Sequence, residues 1–423
     1  MVPRRIRSAC ARAWSESGSW SPTSLGDRLG GALLHVKRDE DAHFMFTAPA
    51  TRSVELLPDS IVRSNELMLS AADFFGELSK SRRGPCTYFT APVADIDGGG
   101  LLERASGWEA LATGAAEDDV RACRPWLQLW AASAGACTQA HYDVADNVFI
   151  QLHGRKEFLV WPPQYHEALH LFPDSHPRSR KSMLRIEEPD LARHPLAVAL
   201  PPPLRLVLEP GDAITLPAFW IHHVTALTEC VSINVFSESP IKLAAAEAFE
   251  LSVPLHPSWP MELRREGLAT VVHTLLGRLG LRTEPVLTRL LDSRFAPLAP
   301  LAPPLSDAPA GAAPPRRARK RPLPAPPLDE HFRSGMRAHA DDTAGAFDRL
   351  HAACLRAAPA YQARWQDEST PCLSASEAPD PAAHYAAIRD ITLFHVFEMW
   401  ALKLFGPDAL EAELRRLRDS TPR

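Results

Sequence analysis

The sequence predicts a mainly β domain, a sandwich or barrel, followed by helical segments. Three observations carry this reading. Between Trp20 and about Ser239, short β-type runs (ALLHVKRD, CTYFTAPV, DNVFIQLHG, KEFLVWPP, LRLVLEPGD, AITLPAFW and CVSINVFS) are broken by Pro, Gly and Asp. Many short strands at such spacing suggest a sandwich or barrel. From Ile241 the pattern changes. LAAAEAFEL and PMELRREGLATVVHTLLGRLG repeat apolar residues at three- and four-residue steps, the period of an amphipathic helix. Finally, Pro297–Pro327 holds eleven prolines, with alanine and little else apolar, which reads as a semi-rigid disordered linker.

Taken in order, residues 1–19 form a basic tail, read as disordered or as a transit peptide, because MVPRRIRSACARAW has four arginines and no acid before Glu16. It lacks the apolar stretch of a secretory signal. Residues 20–240 form the β domain, 241–292 a helical extension and 293–330 the linker. Residues 331–423 form a second helical region, from stretches such as TAGAFDRLHAACLRAA and AAIRDITLFHVFEMWALKLF. There is no internal repeat.

Composition narrows the function. Of the 423 residues 45% are hydrophobic, an ordinary globular value, and no apolar run approaches the ~18 residues that span a bilayer. A net charge of −5 gives no global affinity for nucleic acid, so any such binding needs a local basic patch. The seven cysteines are odd in number and scattered, with no CxxC, which reads as reduced thiols in a cytoplasmic or nuclear protein rather than a disulfide framework or a zinc site.

The chemistry begins with HYDVADNVFIQLHG, residues 141–154. His141 and Asp143 are two apart, so on a strand both leave the same face and can hold adjacent positions on a metal. An isolated HxD proves little, and His339-Ala-Asp341 supplies another in a helix-like stretch. Context strengthens the first pair. Asn147, Phe149 and Gln151 continue on its parity, the chain turns at His153-Gly154, and it returns at Lys156. Further on, EPGDAITLPAFWIHHV closes a tight turn and ends a strand in His222 and His223. A third ligand from a distant strand is what a 2-His-1-carboxylate triad requires, and it leaves three octahedral positions open. Zinc is the alternative metal, but it favours closed tetrahedral sites and no fourth ligand is apparent.

HYDVADNVFIQLHGRKEFLVWPP, IEEPDLARHPL, EPGDAITLPAFWIHHV and SINVF, in that order, resemble the JmjC/cupin-type 2-oxoglutarate hydroxylases. Within that family it is similar to the wybutosine-tRNA hydroxylases and to the hypoxia-inducible-factor asparaginyl hydroxylase. The resemblance is specific over about 130–240, loose before that and absent from the proline linker onward. It implies a double-stranded β-helix (cupin or jelly roll) with iron(II) at its mouth, 2-oxoglutarate as co-substrate and O2 as oxidant. It assigns His141, Asp143 and His222 to the metal, with His223 as the alternative to His222. It also assigns Lys156 to the distal carboxylate of 2-oxoglutarate. Thr138 and Tyr88 would contribute hydroxyls, and Asn147 and Asn234 would line the pocket. A plain core role is the other reading of Tyr88. Ala140 stands where the wybutosine branch has its threonine.

The implied substrate is macromolecular. A modified tRNA base fits the likeness and the basic stretch HPRSRKSMLR (176–185); a protein side chain fits Thr138 and the acidic balance. A non-catalytic cupin-type binding protein is the third reading, although neither a ligand nor the lysine is lost. RRARKR (316–321) resembles a nuclear-localisation or nucleic-acid patch. The apolar surface between Ile241 and about Leu291 predicts a homodimer through the helices after the barrel. No membrane partner is expected.

Overall fold

The computed structural model describes residues 1–6, 9–44, 65–78, 85–96, 100–112, 124–301, 324–366, 369–374 and 376–420. The basic run 316–321 and most of the proline-rich segment lie outside them.

Among the described residues, fourteen strands form two sheets. They are β1 (Arg4–Ile6), β2 (Leu33–Asp39), β3 (His43–Phe44), β4 (Asn65–Ser70), β5 (Cys86–Pro92), β6 (Trp126–Ala132) and β7 (Cys137–Tyr142). The remainder are β8 (Asp146–His153), β9 (Lys156–Trp161), β10 (Leu204–Leu208), β11 (Ala213–Leu216), β12 (Ile221–Ala226), β13 (Cys230–Ser237) and β14 (Ser369–Pro371). One sheet runs β14-β1-β11-β8-β13-β6-β5-β2-β4, the other β10-β9-β12-β7-β3. All pairings are antiparallel except β3 with β7. From β6 to β13 the chain passes back and forth between the sheets, with only β9 and β10 paired consecutively in one of them, which is the double-stranded β-helix expected from the sequence.

The residue pattern explains why the core strands are apolar on both faces. On β8, Val148, Ile150 and Leu152 join a cluster under the N-terminal helices, together with Val231, Ile233 and Val235 of β13. Phe149 points the other way, into the barrel, where it packs with Phe158, Val160, Ile214 and Leu216. A strand covered on both sides shows no hydrophobic alternation, and here the inward parity carries the polar residues of the site.

The regions outside the barrel depart from the expectations. The basic tail is not a loose end: Arg4–Ile6 is a strand between β11 and β14. Arg4 is buried, and its Nε donates to Ser369 Oγ at 2.6 Å. Pairing satisfies its backbone, and the C-terminal region supplies the acceptors its guanidinium needs. Residues 291–301, at the head of the supposed linker, form helical turns, with Arg294 buried.

The predicted homodimer also loses its basis. The apolar faces of Pro240–Phe249 and Met261–Arg278 are covered by the long helix Glu330–Trp365 and by Pro381–Phe405 of the same chain. Val271, Val272, Leu275 and Leu276 share one cluster with Phe347, Leu350, Phe394 and Phe397. The surface that called for a partner is buried in cis. Arg294 Nη1 bonds Asp174 at 2.6 Å and Glu398 at 2.7 Å, locking the loop after β9 to the helix Pro381–Phe405. No helix among the described residues is long and apolar enough to cross a membrane.

Candidate metal and co-substrate site

The eight candidate metal and co-substrate residues, Tyr88, Thr138, His141, Asp143, Asn147, Lys156, His222 and Asn234, line one cavity of about 190 Å³, and His223 does not. Two short turns set the cluster at its mouth. The Phe219 amide donates to the Asp143 carbonyl at 2.8 Å, and the Ala218 amide to Asp146 Oδ1 at 2.9 Å. The ends of β7 and β12 are thereby stitched together. Phe219 has φ of 68°, a conformation a bulky side chain rarely adopts, three residues before His222.

His141 and His222 sit opposite each other on β7 and β12, with ring centroids 4.3 Å apart. His222 Nε2 lies 3.7 Å from Asp143 Oδ2, and donor atoms from all three residues fall within 4.8 Å of one another. Each imidazole is oriented through Nδ1: His141 to the Gln139 carbonyl at 2.8 Å, His222 to the Trp220 carbonyl at 3.1 Å. A carbonyl can only accept, so Nδ1 carries the proton and Nε2 keeps its lone pair, the arrangement that suits a metal ligand. Burial, and then the neighbouring His222, push His141 down to about 3, which keeps it neutral.

Thr138 and His141 differ by an odd number, so strict alternation would place them on opposite faces. A β-bulge resolves this. Between the pairs His222↔His141 and Val224↔Thr138, two residues of β7 (Gln139 and Ala140) face only His223 of β12. The extra residue switches parity and turns Thr138 inward, where its hydroxyl donates to the Tyr88 phenol at 3.1 Å. The same irregularity leaves His223 on the outer face, against Cys137 and Glu187.

Lys156 follows the Gly154 turn. That glycine has φ of 67°, and a Cβ there would lie 1.9 Å from the Glu229 carbonyl oxygen, so only glycine fits. Lys156 is 4% exposed and points into the barrel. Its Nζ donates to Ser232 Oγ at 2.9 Å and sits 5.2 Å from the centre of the Phe149 ring. Burial lowers its pKa, and none of the ion pairs among the described residues includes it. Asn147 Oδ1 and Asn234 Oδ1 are buried in the same cavity without a hydrogen-bond partner. A buried cation and two orphaned amide oxygens are features an enclosed polar ligand or water would satisfy. Burial, partly offset by the Thr138 hydrogen bond, raises the Tyr88 phenol well above its ordinary range, so it is a neutral hydroxyl.

One contribution was only partly visible from sequence. Within HPRSRKSMLR, Arg180 and Lys181 line the cavity mouth, and the Lys181 backbone forms an isolated antiparallel β-bridge with that of His141. Burial and Arg180 push Lys181 down to about 7. Arg185 instead pairs with Asp41 at 2.5 Å. The second HxD pair is on the helix Glu330–Trp365, with Asp341 bound to Arg278 at 2.6 Å, away from the barrel.

A family model described as "Cupin-like domain" matches residues 63–242. The chain is 36% identical over 116 residues to tRNA wybutosine-synthesizing protein 5 of Danio rerio, covering 27% of this chain and 31% of that protein. It is 31% identical over 114 residues to Lysine-specific demethylase JMJ31 of Arabidopsis thaliana, covering 27% of this chain and 21% of that protein. It is 26% identical over 127 residues to the bifunctional peptidase and (3S)-lysyl hydroxylase JMJD7 of Homo sapiens, covering 26% and 40%. The chain thus spans about a third of the length of the tRNA wybutosine-synthesizing protein 5 relatives it matches.

Proposed function

We propose that this chain, a bearer of the Cupin-like domain with JmjC-type relatives, is an iron(II)- and 2-oxoglutarate-dependent hydroxylase that uses O2. One observation carries the reading: a His–Asp–His cluster shares its cavity with a buried lysine that has no carboxylate partner among the described residues. With both bound, iron(II) and 2-oxoglutarate supply oxidative decarboxylation to succinate and CO2 coupled to hydroxylation of a substrate C–H.

The protein's own residues would position and shield. His141 and His222 would offer Nε2 and Asp143 a carboxylate oxygen, three ligands that leave further positions open. Lys156, a compact cation on a flexible stem, would meet the distal carboxylate. Thr138 donates to Tyr88, and of this hydroxyl pair Tyr88 would be the donor to the co-substrate. Asn147 and Asn234 would satisfy their orphaned oxygens through water or co-substrate. Phe149, Phe158 and Trp130 wall the cavity and would exclude bulk water from the reacting centre.

For the substrate we propose a tRNA base, supported by likeness to the wybutosine-synthesizing proteins and by Arg180 and Lys181 at the mouth, where phosphates could be met. A protein side chain is the second reading, supported by the inward hydroxyl at Thr138 rather than at Ala140 and by the lysyl hydroxylase relative. An intracellular location goes with either, and Cys86, Cys137, Cys230, Cys354 and Cys372 are free thiols. The test is anaerobic binding of iron(II) and 2-oxoglutarate, then succinate release in air with tRNA against peptide pools. Absence of 2-oxoglutarate binding to the iron-loaded protein rejects the oxygenase reading. Stimulation by peptide but not tRNA moves the substrate to protein.

A further inference from the structure

We propose that the outer face of the same β-wall holds a second metal site, in which His43, Cys137, Glu187 and His223 bind a zinc-class divalent cation. It stands independently of how the inner cavity is read.

Four segments distant in sequence meet there. β3 runs parallel to β7 and sets His43 opposite Cys137. The bulge in β7 leaves His223 of β12 facing away from the cavity. The loop after Lys181 brings Glu187 across. Donor atoms of His43, Cys137 and Glu187 all lie within 4.8 Å of one another. Glu187 Oε2 is 3.1 Å from His43 Nε2, and its Oε1 is 2.9 Å from His223 Nε2. That same His223 nitrogen is 3.2 Å from Cys137 Sγ. Tetrahedral zinc with bonds of ~2.0–2.3 Å places neighbouring donors ~3.3–3.6 Å apart; Glu187 meets His43 and His223 through different oxygens and the two imidazole centres are 6.5 Å apart, so His223 would have to draw in to complete the set begun by the other three.

The hydrogen-bond logic also favours a cation. His223 Nε2 carries one proton or one lone pair, yet it faces both a thiol and a carboxylate, and the other oxygen of that carboxylate faces His43. A cation at the centre takes an electron pair from every one of them. His43 is oriented for this purpose: its Nδ1 bonds Asp41 Oδ1 at 2.9 Å, the carboxylate–histidine arrangement that fixes the opposite nitrogen on a metal. Cys137 is 2% exposed and His223 1%, so the thiol is inaccessible as a nucleophile for an outside substrate. A Cys, two His and a Glu make a closed borderline set typical of structural zinc, in contrast to the open three-ligand cluster inside. Its effect would be to clamp β3 and the loop carrying Arg180 and Lys181 against the barrel wall.

The inner cluster contains no sulfur, which gives a selective readout. Metal-free full-length protein is titrated with Co(II), following the near-ultraviolet sulfur-to-cobalt charge-transfer band. The band is expected in the wild type and in His141→Ala, and lost in Cys137→Ser with the thermal transition retained. On the zinc-loaded protein, X-ray absorption should show a sulfur neighbour at ~2.3 Å. Glu187→Gln keeps shape at a half-exposed side chain and guards against a misfolded cysteine variant; it should weaken Co(II) at the band about 10-fold or more. Cobalt binding without the band in the wild type, the band surviving in Cys137→Ser, or unchanged affinity in Glu187→Gln would each overturn the proposal.

Discussion

Replacing Lys156 with methionine should raise the apparent KM for 2-oxoglutarate while leaving the apo protein as stable as before or more so. The two effects have one cause. At 4% exposure, with a single neutral hydrogen bond to Ser232, the ammonium has lost most of its hydration and gained no counter-charge. Burial therefore lowers its pKa. An arriving carboxylate supplies the missing partner, and a charge-assisted hydrogen bond is worth ~1.5–3 kcal/mol, or about 10- to 150-fold in KM. Methionine retains the length and packs on Phe149 and Phe158, so little cavity opens. Linkage gives a second signature. The unfolded chain holds the lysine proton more tightly than the folded one, so wild-type apo stability should climb as pH rises toward the ordinary value of 10.5, an increment the methionine variant lacks. Initial rates of succinate formation against 2-oxoglutarate, at saturating iron, measure the first effect, and urea midpoints across pH the second. An unchanged KM with a lowered midpoint would refute the reasoning and assign Lys156 to bracing the wall through Ser232.

His141→Ala and Asp143→Ala should each lose stoichiometric iron while keeping the wild-type fold; retention of iron and turnover by either would detach the metal from this cluster. Arg294→Ala should cost about 3–5 kcal/mol of stability by urea denaturation, because it strands the buried carboxylates of Asp174 and Glu398; a loss under about 1 kcal/mol, the scale of an exposed ion pair, would mean that water reaches them. If RNA is the substrate, binding should weaken steeply with salt, and replacing Arg180 and Lys181 together by serine should lower the log–log slope by about 1–2. An unaltered slope would exclude these two residues from phosphate contact.

The barrel and its inward residues were legible because both follow a local rule. Period-two spacing put His141, Asp143 and Asn147 on one face, and the turns at Gly154 and Glu209–Asp212 announced where strands reverse. Burial on both sides blurred the alternation of β8 and β13, and polar residues at Asn147, Gln151, Ser232 and Asn234 marked the inner parity instead. What sequence could not convey were long-range complements. Arg4 looks like part of a basic tail until Ser369 and the carbonyls of the C-terminal region are known to receive it. The apolar stripe on Met261–Arg278 looks like a dimer face until the helices beyond the proline-rich segment fold back over it. Cys137 looks like an isolated thiol because its neighbours come from three other segments.

The bulge in β7 links the two faces of the wall. A regular β7 could present His141 and Thr138 only to opposite sides, so the cavity would lose either a ligand of its cluster or the hydroxyl on Tyr88. Inserting Gln139 and Ala140 against one residue of β12 keeps both inward. The bulge itself is held in place: the Ser182 amide donates to the Ala140 carbonyl at 2.7 Å, and the Gln139 amide side chain reaches the Leu184 carbonyl. Both anchors belong to the loop that carries Lys181 on one side and Glu187 on the other. Geometry inside the cavity therefore depends on how that loop is seated outside it. A cation joining Glu187 to Cys137 and His223 would act on the inner site through this seat, by holding Gln139 and Ala140 in the register that aims Thr138 and His141 at the same space.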